Sequence, residues 1–298
     1  MQQNEGYIDF KGYKTWYATY GDLSKGATPL VGLHGGPGWP HYSLLPLSGL
    51  ADQGIPVILY DQLGCGKSQR ITDTNLMTVE SYVEELDTLK HSLGLTTMNL
   101  LGHSWGGTLA LEYTLAHPES VHKLILSSPL LDTALWVEEA IRLRDSLPPE
   151  TASAMRRHEA DGTTNDPEYT AAYRVFEQNF VCRVVPEPED LSQANAEAGR
   201  NVYLSMWGPS ESFATGTLKS YSVIDRLKNV QSSTLLLSGA YDEATPKQIE
   251  IAKQNIPGCE WLLLKNSSHS ALFEEPERYL EAVASFVGPK KHHWFSRA

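Results

Sequence analysis

The chain is poor in cysteine and in long apolar runs. Its 298 residues include three cysteines, Cys65, Cys182 and Cys259, which are widely spaced and odd in number. Such a set argues against a disulfide framework and a cysteine-based zinc site. No apolar run approaches bilayer-spanning length, and the N-terminus lacks the basic and apolar regions of a secretion signal. The sequence therefore predicts a cytoplasmic protein without a membrane partner.

Positive charge is also scarce. The chain has 24 Lys and Arg residues against 36 Asp and Glu residues, and its net charge is −12 with neutral histidines. This balance, with no Lys/Arg-rich run, argues against nucleic acid or an anionic membrane as the main partner. Hydrophobic residues make up 41% of the chain, which is ample for a packed core. We expect one large α/β domain, or such a domain with an inserted lobe.

Apolar patterning predicts alternating strands and helices on both sides of a central insertion. The strand-like runs before the insertion are residues 15–20, 30–33, 57–60, 99–101 and 124–126, and the helix-like runs are 78–93 and 106–116. This alternation is typical of a parallel sheet. Residues 132–222 have helix-like stretches without buried strand runs, and strand patterns return at 234–237 and 261–264. The predicted core is residues 1–131 and 223–298, with an inserted helical cap of residues 132–222.

A G-x-S-x-G pentapeptide, Gly102-His103-Ser104-Trp105-Gly106, lies between a predicted strand and a predicted helix. This is the setting of a nucleophile elbow, a strained turn that presents a serine at the end of a strand. Glycines are needed on either side because side chains there would collide with the adjacent strand and helix. The pattern predicts that Ser104 is a nucleophile.

A serine nucleophile needs a base and an acid that orients the base. In hydrolases with this elbow the chain order is serine, acid, histidine, and the last two follow late strands. Asp242 follows the strand pattern at 234–237, and His269 follows the one at 261–264. We predict Asp242 as the acid and His269 as the base.

An early glycine-rich loop, residues 34–38 with the sequence HGGPG, follows a predicted strand. Elbow enzymes place one oxyanion donor in such a loop, where glycine lets the backbone approach the reacting carbonyl. The predicted donors are the backbone N–H groups of Gly36 and of Trp105, the residue after the serine.

Phosphate-binding and metal-binding motifs are missing. The segment 64–68, GCGKS, ends like a P-loop, but Asp61 occupies the position of that motif's first glycine. Gln69 replaces the last glycine of a dinucleotide-binding fingerprint. No H-E-x-x-H or comparable metal-ligand spacing occurs. The sequence therefore predicts no cofactor and no metal.

The same segments closely resemble the proline iminopeptidase family of α/β-hydrolases. The resemblance rests on HGGPG at 34–38, DQLGCGKS at 61–68, GHSWGG at 102–107, YDE at 241–243 and His269, and it covers nearly the whole chain. It implies an α/β-hydrolase fold, with a mostly parallel sheet, flanking helices and an inserted helical cap. It also implies an enzyme that releases an N-terminal residue, often proline, from small peptides or hydrolyses amino-acid amides.

The resemblance further implies that acidic residues at the mouth of the cap bind the substrate's free α-amino group. By position these are Glu211 and Glu243, and Trp207 and Phe213 are the aromatic candidates for the substrate pocket. The family usually shows G-P-x-E-F, whereas Ser212 stands between Glu211 and Phe213 here. Two alternatives stay open: an esterase or lactone hydrolase of a specialised metabolite, and a non-catalytic hydrolase-fold receptor. The oligomeric state and the preference for proline stay open as well.

Overall fold

An eight-stranded, mostly parallel sheet forms the centre of the computed structural model, which describes residues 3–288. The strands are β1 (Gln3–Phe10), β2 (Tyr13–Tyr20), β3 (Leu30–Leu33), β4 (Val57–Tyr60), β5 (Met98–His103), β6 (Val121–Ser127), β7 (Ser233–Gly239) and β8 (Glu260–Leu264). Their spatial order is β1-β2-β4-β3-β5-β6-β7-β8. β2 runs antiparallel to both β1 and β4, and the remaining pairs are parallel. Residues 1, 2 and 289–298 of the predicted core lie outside the described residues.

The α-helices confirm the predicted α/β alternation. Within residues 3–288 they are α1 (Val79–Ser92), α2 (Trp105–Ala116), α3 (Thr133–Asp145), α4 (Pro149–Asp161), α5 (Pro167–Phe180), α6 (Glu189–Ala196), α7 (Arg200–Met206), α8 (Pro246–Asn255), α9 (Ala271–Glu274) and α10 (Pro276–Val287). Thr78 caps α1 by accepting a hydrogen bond from the Ser81 amide, and Gly94 follows its end with φ of 66°. None of the described helices is long and apolar enough to cross a bilayer.

Both faces of the sheet are buried, which explains why the central strands are apolar at consecutive positions. In β7, Leu236 belongs to one apolar cluster, with residues of α1, α2 and α8. Leu235 and Leu237 belong to a second cluster, with α10 and the 3-10 helical turns of His41–Gln53. The edge strand β1 instead has four exposed side chains before its first buried one. Because it lacks an apolar run, the sequence pattern did not predict β1.

Five helices, α3 to α7, lie between β6 and β7. Helices α3, α4 and α5 share an apolar cluster of their own, which includes Met155 and Phe176. The two chain segments that join these helices to the sheet run side by side. Asp132 and Ser222 form an isolated antiparallel bridge, and the Val223 amide donates to the Leu131 carbonyl at 2.9 Å. The boundaries of the cap at 132 and 222 stay a prediction.

Candidate active site

Ser104 occupies a strained turn between β5 and α2. Its φ of 56° and ψ of −121° lie in a region that side chains rarely adopt. The turn is closely packed: a Cβ on Gly106 would lie 2.0 Å from the Leu33 carbonyl oxygen, and one on Gly102 would lie 2.1 Å from the Gly106 carbonyl oxygen. Only glycine fits these positions, which is the local geometry that a nucleophile elbow requires.

The predicted acid and base meet at the carboxyl ends of β7 and β8. His269 Nδ1 lies 2.8 Å from Asp242 Oδ1, and both side chains are buried. The Asp242 carboxylate also accepts hydrogen bonds from the backbone amides of Ala244 at 2.8 Å and Gly239 at 3.2 Å. These bonds hold the carboxylate in one orientation, which orients the imidazole in turn.

Two neighbours of this pair were not predicted from the sequence. The Ser128 hydroxyl donates to Asp242 Oδ2 at 2.5 Å, from a backbone with φ of 49°. The only sequence signal for Ser128 is its place directly after β6. The His103 ring lies 4.5 Å from the His269 ring, between centroids, and burial lowers the pKa of His103 well below its usual range. His103 is therefore neutral and adds no positive charge beside His269.

Glu243 lies on the other side of the His269 ring. Its Oε1 is 3.6 Å from His269 Nε2, and the side chain is buried. Burial lowers the pKa of His269, but the carboxylates of Asp242 and Glu243 outweigh it and raise the value to about 9. Burial also raises the pKa of Glu243, and the nearby Glu211 carboxylate raises it further. The site thus gathers several acidic groups around one imidazole.

Glu211 belongs to this group through partners on α3 and α7. Its carboxylate accepts hydrogen bonds from Trp136 Nε1 at 2.9 Å and from the Tyr203 hydroxyl. The Trp136 ring stands edge-on to the His269 ring, with centroids 5.9 Å apart, and packs against Trp207 at 6.2 Å. Burial raises the pKa of Glu211. The structure therefore brings both predicted amine-binding glutamates to His269.

Ser212, the residue that separates Glu211 from Phe213, is hydrogen-bonded within the segment 132–222. Its hydroxyl donates to Glu159 Oε1 at 2.7 Å, and Glu159 pairs with Arg144 at 2.5 Å. The Ser212 side chain thus contacts the buried pair of Glu159 and Arg144, and the neighbouring Glu211 keeps its hydrogen bond with Trp136. The two predicted pocket aromatics differ in their surroundings: Trp207 is 2% exposed and donates to a backbone carbonyl, whereas Phe213 is 47% exposed. Their contact with substrate stays a prediction.

The glycine-rich loop packs directly on the elbow. A Cβ on Gly35 would lie 3.1 Å from the Cβ of Ser104. Gly36 has φ of 111°, and a Cβ there would lie 2.5 Å from the Gly38 amide nitrogen. The loop therefore needs glycine to run this close to the serine, as expected for a segment that supplies an oxyanion donor.

Gln62 joins the two segments that carry the predicted oxyanion donors. Its Oε1 accepts from the Trp105 indole Nε1 at 2.7 Å, and its Nε2 donates to the His34 carbonyl at 3.0 Å. The Gln62 amide also donates to His34 Nε2 at 2.9 Å, and all three side chains are buried. The sequence analysis used Gln62 only as part of a family motif, because nothing in the spacing indicates this bridge.

A buried carboxyl group lies under the segment that carries Gln62. Glu85, on α1, accepts hydrogen bonds from the Thr15 hydroxyl at 2.5 Å and from the Leu63 amide at 2.9 Å. Burial raises the pKa of Glu85 to about 8. Glu85 holds β2 and the segment after β4 together, and its ionisation at alkaline pH carries a free-energy cost.

One trio of side chains in the described part of the chain has metal-ligand geometry. The ligand atoms of His158, Asp166 and Glu168 lie within 4.8 Å of one another on α4, α5 and the turn between them. Glu168 also pairs with Arg157 at 2.6 Å, and Asp166 caps α5. Their contacts therefore fit an ion-pair and capping cluster at the junction of α4 and α5.

The comparisons with known proteins agree with this geometry. A family model described as alpha/beta hydrolase fold matches residues 28–276. The crystal structure of VinJ matches with a TM-score of 0.92 and 38% identity, over 95% of this chain and 98% of that one. The mostly parallel sheet and these two matches together show that the chain is an α/β hydrolase.

Sequence and structural relatives narrow the class further. The proline iminopeptidase of Heyndrickxia coagulans is 40% identical over 284 residues, which are 95% of this chain and 98% of that protein. The crystal structure of the proline iminopeptidase of Mycobacterium smegmatis has a TM-score of 0.87 and 36% identity, and the match covers 95% of this chain and 97% of that one. The chain belongs to the proline iminopeptidase family of α/β hydrolases.

Proposed function

We propose that this protein is a serine aminopeptidase that releases an N-terminal residue, often proline, from small peptides and hydrolyses amino-acid amides. One observation carries the proposal: Glu211 and Glu243 lie beside His269, and no Lys or Arg among residues 3–288 pairs with either carboxylate. A desolvated ammonium group needs such carboxylates, and charge-assisted bonds to it fix which carbonyl is presented for attack. The relatives named proline iminopeptidase support the same reading.

In the proposed mechanism Ser104 attacks the carbonyl carbon next to the substrate's amine-bearing carbon. His269 takes the hydroxyl proton, and Asp242 holds the ring in the tautomer that can accept it. The backbone N–H groups of Gly36 and Trp105 stabilise the oxyanion. His269 then protonates the leaving amine, and a water molecule cleaves the acyl-enzyme by the same steps in reverse.

We assign residues 132–222 the role of a cap that completes the substrate site. Trp136 and Glu211 come from this segment, whereas Glu243 and His269 come from the sheet side. A site built from both parts encloses a small peptide end more readily than an open sheet edge does. The three cysteines are unpaired, which supports a reducing, cytoplasmic setting for the enzyme.

The test is hydrolysis of the p-nitroanilides of proline and alanine, their N-acetyl counterparts and a p-nitrophenyl ester, with Ser104→Ala as the blank. We expect the free-amine anilides to be cleaved and the N-acetyl forms to resist. Ser104→Ala should lower kcat by about 10⁴-fold or more. Cleavage of the ester alone would favour an ester hydrolase, and no turnover of any substrate would favour a receptor.

A further inference from the structure

The nitrogen that must accept the Ser104 proton faces a carboxylate in this structure. Glu243 Oε1 lies 3.6 Å from His269 Nε2, while Asp242 Oδ1 lies 2.8 Å from Nδ1. The hydrogen bonds found among residues 3–288 include none between the Ser104 hydroxyl and His269. Two flanking carboxylates favour a ring that is protonated on both nitrogens, and such a ring cannot take another proton.

The groups packed around His269 reinforce this state. The titratable ones are Asp242 and Glu243 from the turn after β7, Glu211 from the segment after α7, and His103 from β5. Trp136, from α3, packs edge-on against the His269 ring and carries no charge. Desolvation lowers the pKa of His103 and keeps its ring neutral, and no Lys or Arg among residues 3–288 pairs with these carboxylates, so His269 is the one described group here that can oppose them with a positive charge. Burial opposes protonation of His269, but the surrounding carboxylates raise its pKa, whereas burial itself raises the pKa of Glu211 and, together with the Glu211 carboxylate, that of Glu243.

Glu243 also has an oxygen that nothing in the described chain satisfies. Its Oε2 is buried and has no hydrogen-bond partner among residues 3–288, and the residue as a whole is 5% exposed. A buried carboxylate oxygen without a donor is unfavourable, so the site is arranged to receive a donor from outside the chain. A cationic donor would satisfy this oxygen and compensate the negative charge as well.

We propose that the α-ammonium group of the substrate takes the Glu243 carboxylate from His269 and so frees Nε2 to accept the Ser104 proton. The inference rests on the proposed function, because it requires the substrate amine to reach Glu243. The arriving positive charge replaces that of a proton, which leaves the cluster for solvent. His269 Nε2, now neutral, accepts the Oγ proton as Oγ bonds to the carbonyl carbon. A free amine is then selected in the chemical step as well as in binding.

The test compares two substrates of the same shape. Prolyl p-nitroanilide carries the amine, and p-nitrophenyl cyclopentanecarboxylate has a ring of the same size without it. We expect kcat for the amine-free ester to rise about tenfold per pH unit from about pH 7 and to level only near pH 9, the pKa of the undisturbed His269. The kcat of the prolyl anilide should level at lower pH, because its own ammonium has already displaced the proton.

Glu243→Gln tests the contact between Glu243 and His269 Nε2. Its effect on the ester reports this contact alone, because the ester has no ammonium group for Glu243 to bind. The variant should shift the ester profile to lower pH and raise the ester kcat at about pH 7 by roughly tenfold, since one carboxylate no longer favours the protonated ring. It should lower the kcat of the prolyl anilide. The matched control is Glu168→Gln, an exposed carboxylate on α5, which should keep the wild-type ester profile.

Three results would overturn the inference. The first is a wild-type ester profile that levels near the ordinary histidine pKa of about 6.5, which needs no variant to be folded. The second is a folded Glu243→Gln enzyme whose ester kcat at neutral pH does not rise, and the third is an equal shift in Glu168→Gln. Failure of wild type to cleave the prolyl anilide at any pH would refute the proposed function instead, and the ester profile would still test the Glu243 contact.

Discussion

Replacement of Gln62 by Leu is expected to slow the chemical step while leaving substrate binding nearly unchanged. Leucine approximates the volume of glutamine but removes the bonds to the Trp105 indole at 2.7 Å and to the His34 carbonyl at 3.0 Å. Both partners are buried, and each unsatisfied group costs about 1 to 3 kcal/mol. The variant should therefore lose about 2 to 6 kcal/mol of unfolding free energy, which urea denaturation measures.

The catalytic effect follows from what Gln62 connects. Trp105 and the loop of residues 34–38 carry the proposed oxyanion donors, and loss of one donor outright costs about 10² to 10³ in kcat. Displacement of a donor should cost less, so we expect kcat for prolyl p-nitroanilide to fall by about 10- to 100-fold. KM should change little, because the carboxylates proposed to bind the substrate ammonium group, Glu211 and Glu243, are untouched.

Two further variants make the test specific. Trp105→Phe removes the indole donor, and its effect on kcat should be strongly non-additive with that of Gln62→Leu because the two side chains share one hydrogen bond. Gln69→Leu removes an exposed glutamine that bonds only to a backbone amide, and it should behave as wild type. A Gln62→Leu enzyme that loses stability but keeps its kcat would refute the positioning role.

Three other predictions concern single buried contacts. Ser128→Ala removes the hydroxyl bond to Asp242 and should lower kcat about tenfold; an unchanged steady-state kcat would show that the backbone amides alone hold the carboxylate. Because the pKa of Glu85 is raised from 4.5 to about 8 on folding, the free energy of unfolding should fall as pH rises through this range, by on the order of 5 kcal/mol. For Glu85→Gln, the free energy of unfolding measured by urea denaturation should not show this fall with pH. A pH dependence identical to that of wild type would contradict the raised pKa of Glu85. Ser212→Ala breaks the bond to Glu159 and should raise KM for the prolyl anilide several-fold by loosening Glu211; an unaltered KM would show that Trp136 and Tyr203 suffice.

Local sequence was enough to predict the elbow and the order of the proposed triad. The glycines at 102 and 106 mark a turn that admits no side chain, and such a signal is readable without knowing the fold. Asp242 and His269 were predictable because each follows an apolar strand run, and the carboxyl ends of parallel strands meet at one edge of a sheet. The edge strand β1 was missed because its polar, mostly exposed residues lack that signal.

The amino-acid sequence by itself determined the pattern of the buried strands and the flanking helices, the elbow and the family, since these depend on residue types at short spacings. Only the tertiary structure decided which side chains surround His269. Glu211 and Trp136 are 75 residues apart and Gln62 and Trp105 are 43 apart, yet each pair is hydrogen-bonded. The Glu243 contact with His269 Nε2 likewise depends on how two loops pack at the sheet edge. No local spacing encodes these contacts, because they arise when distant segments are buried together and must satisfy one another's polar groups.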